Sequence, residues 1–140
     1  MTDETALREN MMRLETAKAQ LEALSKQQEL IQLAVEEHVK ARETVKNMAK
    51  SAPGDELMVP IGADSYIFAK STERKDVVLG VGSDVSLQRS AEEAEKILDS
   101  RVEELAQAFQ RVAEMAAQTE GAIQELSEKI QRQYEGAQSD

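Results

Sequence analysis

LDSRVEELAQAFQRVAEMAAQTEGAIQELSEKIQRQYEGA, residues 98–137, sets down a seam residue at alternating steps of four and three along its whole length. Leu98, Val102, Leu105, Phe109, Val112, Ala116, Ile123, Leu126, Ile130 and Ala137 form the stripe, and only Thr119 and Gln133 interrupt it with polar groups. A straight helix drifts away from a seven-residue repeat within a few turns. A repeat kept this long therefore marks a coiled-coil seam rather than an ordinary surface helix. The same spacing runs from Leu7 to Val45, where Asn10, Gln28, His38 and Arg42 share the seam with eight apolar residues. Two such helices predict little globular interior, so function is expected in what the arms and the segment between them touch.

The first helix can start at Thr2 or Asp3, an oxygen-bearing cap followed by acidic groups that suit the helix dipole. It should stop near Lys50, because Pro53 and Gly54 cannot continue it, and Lys46 and Lys50 complement its negative end. The second starts at Ser90, with Glu93 completing a capping box, and Gly136 is its expected stop. At 1.5 Å per residue each arm is on the order of 65 Å long. Neither seam is stable alone in water, and the folded-back linker makes the other helix of the same chain the nearest partner, in an antiparallel pair. Pairing between chains satisfies the same periodicity.

Residues 57–89 change character. Leu57–Ile61 and Val77–Val81 are apolar runs, each followed by a glycine-containing connection (Gly62, Ala63, Asp64; Gly82, Ser83, Asp84) and a second run. That composition predicts two β-hairpins with three-residue connections, Thr72–Asp76 forming the loop between them. Pro60 lacks a ladder donor and belongs at an edge or bulge. Two hairpins cannot close a barrel, so apolar edges remain and the chain should oligomerise here. Val59, Ile61, Ile67, Val78, Val81, Val85 and Leu87 are the candidate assembly residues. The fold class is α+β: a long antiparallel coiled-coil hairpin with two central β-hairpins. Its divisions are an N-terminal helix over 1–50, a linker over 51–56, the hairpins over 57–89, a C-terminal helix over 90–136 and a tail over 137–140.

A net charge of -10 weighs against nucleic acid and anionic membrane surfaces as partners. The absence of cysteine excludes disulfides and thiolate metal sites and fits a reducing, cytoplasmic setting. No secretory signal and no membrane span are expected from the acidic start and the short apolar runs. His38 is the lone histidine and has no ligand constellation around it. Glu36–Glu37, Glu92–Glu93 and Glu103–Glu104 are neighbours that do not face each other on a helix, so solvated faces explain them better than acid–base pairs. Gly62, Gly80 and Gly82 are hairpin glycines outside any phosphate-loop pattern. No enzyme, cofactor or metal is expected.

Order and motifs together, with LMVPIGADSY in the first hairpin and VVLGVGSDVSLQRSAEEA leading into the second helix, resemble the alpha-type subunits of archaeal prefoldins over nearly the whole chain. Val59–Ala63 and Val81–Ser83 are the most specific parts; Asp64 and Asp84 stand where the family more often has glycine. Two hairpins, rather than one, point to the alpha type. The resemblance implies an ATP-independent co-chaperone in which two alpha and four beta-type subunits join their hairpins into a β-barrel platform. Six coiled coils would then hold non-native proteins at their tips and deliver them to a group II chaperonin. A coiled-coil scaffold or filament-forming relative that binds no client is the alternative, discriminated by whether the tips are apolar.

Leu7, Met11, Met12 and Tyr134 are the candidate client-binding residues at the tips, and methionine's flexible, polarizable side chain suits varied apolar partners. Two registers one heptad apart satisfy the seam. The preferred one sets Gln28 against Thr119 and Leu24 against Ile123; the other sets Gln28 against Val112, leaving an amide before an apolar group. In the preferred register, residues before about position 10 overhang and leave Leu7 and Met11 accessible.

Overall fold

The computed structural model describes residues 2–138, with side chains from residue 3 to residue 136. The expected Thr2 cap, the seam position of Ala137 and the tail therefore lie wholly or partly outside the described residues. Element order is α1 (Thr2–Lys50), β1 (Glu56–Gly62), β2 (Ser65–Lys70), β3 (Asp76–Gly82), β4 (Val85–Ser90) and α2 (Ala91–Gln138). Gly136 does not end α2, which continues to Gln138. No helix among the described residues is long and apolar enough to cross a membrane. The chain forms two compact units, one of residues 1–32 with 108–140 and the other of 33–107.

In the first unit, Leu24, Val112 and Ala116 bury one another, with Leu21 and Ile31 packed against them. Early residues of α1 meet late residues of α2: Asn10, only 5% exposed, donates its side-chain N–H to Gln133 Oε1 at 3.1 Å. The pairing is antiparallel. Leu24 beside Ala116 places Gln28, one seam step on, at the layer of Val112, so the register preferred from the sequence is not the one adopted. Gln28 is only half-buried, and no buried side-chain nitrogen or oxygen among the described residues lacks a partner. Its amide therefore stays hydrated, and the penalty expected of a buried polar mismatch does not arise. The adopted register also sets a large Leu24 against a small Ala116, which close packing favours.

The second unit has its core where Val45, Leu79, Ala91, Ala94 and Leu98 bury one another, joined by Ala41, Met48, Val77 and Ile97. The small side chains of Ala91 and Ala94 let the start of α2 approach α1 and β3 closely. Arg42 pairs with Asp99 at 3.0 Å, joining α1 to α2 in this unit. Ser90 caps α2, its Oγ accepting from the Glu93 N–H at 3.2 Å. Glu93 does not complete the capping box; its carboxylate lies 3.7 Å from Arg89.

The hairpins are two separate two-stranded antiparallel sheets, β1–β2 and β3–β4. Their connections are shorter than expected. Gly62 pairs with Ser65 and Gly82 with Val85, leaving two-residue turns. Ala63 and Asp64 have φ of 53° and 54°, Ser83 and Asp84 51° and 61°, as a type I′ turn demands. Each strand slips register just before its turn, between Pro60 and Gly62 and between Gly80 and Gly82. Gly62 and Gly82, at φ of 93° and 96°, supply the backbone shape of those bulges. Pro60 accordingly borders a bulge.

Ala94, 0% exposed, has no room to grow. Ala94→Leu should destabilise the chain by about 1–3 kcal/mol in a chemical denaturation series, because overpacking forces neighbours off their rotamers. The register is checked by cross-linking, which the absence of native cysteine makes clean. A short thiol-to-thiol linker should join Gln28→Cys to Val112→Cys within one chain in dilute solution, and should fail with Gln28→Cys and Thr119→Cys. Peptide mass spectrometry reads the outcome.

Candidate interaction surfaces

The two hairpins relate differently to the helices beside them. In β3–β4 one face is turned inward, with Val77 and Leu79 in the core and Leu87 half-buried directly across from Leu79. Val78, on the opposite face, is 66% exposed, and Val81 and Val85 near the turn are also exposed. The Arg101 guanidinium donates to the Gly80 carbonyl at 2.8 Å, pinning this hairpin to α2. No β1 or β2 residue joins the buried core. A cleft of about 630 Å³, lined among others by Leu33, Ala41, Val45, Val59 and Pro60, opens between α1 and β1–β2 instead. Lys40 Nζ and Asp64 Oδ1, 3.4 Å apart, tie the turn of this hairpin to α1, and that hydrogen bond raises the lysine's pKa.

With little beneath it, β1–β2 leaves three consecutive apolar side chains of β2 in solvent: Tyr66, Ile67 and Phe68, the last 72% exposed. Met58 pairs across from Phe68 and is likewise exposed, as is Ile61 at the bulge; Val59, across from Ile67, is half-buried. Thus Ile61, Ile67, Val78, Val81 and Val85 stand outward, while Val59 and Leu87 are partly covered by the chain itself. Phe68, Tyr66 and Met58 were missed from the sequence. The run Ser65–Lys70 breaks the simple apolar–polar alternation, and that break was the available signal. Each strand also keeps one unpaired edge, so backbone donors and acceptors accompany the apolar surface.

Polar contacts give the rim of β3–β4 a fixed charge arrangement. Arg74 donates from Nε to Asp76 Oδ1 at 2.6 Å and from a terminal nitrogen to Oδ2 at 2.9 Å, and the Gln88 amide also donates to Oδ2. These bonds, Arg74's foremost, hold the Asp76 carboxyl well below the usual carboxylate range. His38 Nδ1 lies 2.7 Å from the Ala34 carbonyl one turn back, an ordinary use of a lone helical histidine. Among the described residues no three His, Cys, Asp or Glu side chains come together as a metal site.

A second apolar surface lies in the other unit. Met11, Met12 and Tyr134 are exposed, Met12 at 65%. Leu7 is half-buried, and the Asn10–Gln133 bond closes the helix pair at this level. The expected overhang before position 10 is therefore absent, because the adopted register brings Gln133 to Asn10. Leu7 belongs to the seam here, whereas both methionines lie off it.

Lys75, read from the sequence only as part of a connecting loop, is where three parts of the second unit meet. Its ammonium lies 2.8 Å from the carbonyl oxygens of Met48 and Ser51, at the end of α1, and 3.1 Å from both Ser51 Oγ and Ser71 Oγ. No periodicity signals such a cap.

Comparison with known proteins agrees with this architecture. The family described as prefoldin subunit matches residues 6–136. A prefoldin subunit alpha of Pyrococcus horikoshii is 32% identical over 81% of this chain and 77% of its own length. One from Methanosphaera stadtmanae is 36% identical over 71% of each, and one from Methanoculleus marisnigri 30% identical over 84% and 78%. A chain of the filamentous PFD of Methanocaldococcus jannaschii, solved by cryo-EM, shares the fold with a TM-score of 0.64 at 22% identity, over 81% of this chain and 93% of that one. Two long helices bracketing two hairpins, together with relatives of this kind, lead to one assignment: the chain belongs to the prefoldin family, among its alpha-type subunits, a family of non-enzymatic, chaperone-type components.

Proposed function

We propose that this chain is a subunit of a cytoplasmic, ATP-independent holdase. Its hairpins join beta-type partners in a hetero-hexamer of two alpha and four beta subunits, forming the β-barrel platform. Met11, Met12 and Tyr134, with a smaller share from Leu7, hold non-native proteins and hand them to a group II chaperonin. One observation carries the reading: off-seam apolar side chains stand exposed where coiled-coil packing has no use for them. Each apolar side chain fully buried against a client contributes roughly 1.5–3 kcal/mol, and several arms binding together multiply weak contacts.

Assembly residues and packing residues are separable in this chain. Ile67 is 50% exposed and Val78 more so, so Ile67→Asp or Val78→Asp should leave the isolated chain's helicity and melting temperature nearly unchanged. With the beta-type partner present, the same charge would be buried at a cost of several kcal/mol, and native mass spectrometry should show the hexamer lost. Normal assembly by both variants would place these residues outside the interface.

Client capture is tested with Met11→Ser, Met12→Ser and Tyr134→Ser combined. This change leaves the Asn10–Gln133 bond in place, which deletion of residues 1–12 would not. Suppression of client aggregation, followed by light scattering, should fall severalfold while assembly is retained. Undiminished protection would favour the scaffold reading, in which the arms are spacers and no client is held.

A further inference from the structure

We infer that Lys75 is a positioning residue that locks the junction where α1 ends, α2 begins and the hairpins leave the helices. The inference rests on the hairpins being the assembly surface, because their stance is what this junction would set. Three ammonium N–H groups face four acceptors: the Met48 and Ser51 carbonyls at 2.8 Å, and Ser51 Oγ and Ser71 Oγ at 3.1 Å. The Lys75 backbone carbonyl in turn accepts the N–H of Ala91, the first residue of α2, at 3.0 Å. One residue therefore bonds to the end of α1, to the segment leaving β2 and to the start of α2, and its chain runs directly into β3.

The neighbouring hydroxyls cannot take over. Ser51 Oγ lies 2.6 Å from the Met48 carbonyl and 2.5 Å from Ser71 Oγ, so its single hydrogen is committed within the cluster. Ser71 is buried, and its backbone is itself in use, donating to the Asp55 carbonyl and accepting from the Gly54 N–H, each at 2.8 Å. With the ammonium gone, the Ser51 carbonyl would lose its side-chain donor, and the end of α1 would no longer be tied to the β2–β3 connection. A guanidinium does not substitute: its donors diverge in a plane, whereas these acceptors converge on one nitrogen.

The exchange measurements use the full-length chain alone, so their outcome depends neither on client capture nor on assembly. In Lys75→Met, amide hydrogen exchange at Ser51, Gly54, Ser71 and Ala91 should accelerate about tenfold or more, while ladder amides of both hairpins stay within about twofold of the parent. Lys75→Arg should behave like Lys75→Met. In the parent chain, the Lys75 ammonium protons should exchange with water far more slowly in NMR spectra than those of exposed Lys26. Mixed with the beta-type partner, Lys75→Met should assemble less completely. The proposal is overturned by uniform acceleration of all amides, by full protection in Lys75→Arg, by ammonium exchange as fast as at Lys26, or by undiminished assembly despite a loosened junction.

Discussion

Burial of Leu79 among Val45, Ala91, Ala94 and Leu98 is the constraint on which the second unit depends. A single strand residue fills the space between two helices whose facing side chains are mostly small. Ala91 and Ala94 permit the approach, and Leu98 and Val45 complete the apolar wall. This contact fixes how far α2 is advanced along α1 at the hairpin end, and it decides which face of β3–β4 is turned inward. The chain has few aromatic residues and no tryptophan, so no larger core is available to override it.

Polar contacts supply the specificity that a thin aliphatic seam lacks. Any heptad seam can slide by seven residues and still bury apolar groups. The bond between buried Asn10 and half-buried Gln133 and the Arg42–Asp99 ion pair are satisfied in the adopted alignment. A buried amide without a partner is costly, so Asn10 disfavours alignments that leave it facing only apolar neighbours. Gln28, half-exposed, carries no such weight, because water reaches its amide. Exposure, rather than residue type alone, decides which polar seam residues select a register.

Function follows from what the fold leaves uncovered. Apolar side chains in solvent are the informative feature. They occur on the β1–β2 hairpin, on the outward face of β3–β4, and off the seam at Met11, Met12 and Tyr134 and at Leu30, Leu33 and Met115. The hairpin surfaces come with unpaired strand edges and rigid type I′ turns, which suits a fixed partner. The methionine surface lies on helix faces without such edges, which suits partners of varied shape. Two kinds of surface on one chain accord with the proposed division between assembly at the hairpins and client binding on the helices.

Local periodicity made most of the architecture legible. The heptads of α1 and α2, the Ser90 cap, the glycine-marked hairpins and the family motifs are encoded by residues close in sequence, so the sequence by itself determined the elements and their order. Asp64 and Asp84 could be placed in turns for the same reason, although the turns proved two residues long with a bulge. What only the tertiary structure decided is non-local. The offset between the helices is degenerate every seven residues until Leu24 meets Ala116 and Val45 meets Ala94. Whether Leu87 faces inward or Phe68 outward depends on which hairpin finds Leu79's neighbours beneath it. Lys75 gains its place from carbonyls some 24 to 27 positions away, and no spacing in a linear chain announces a contact made by folding back.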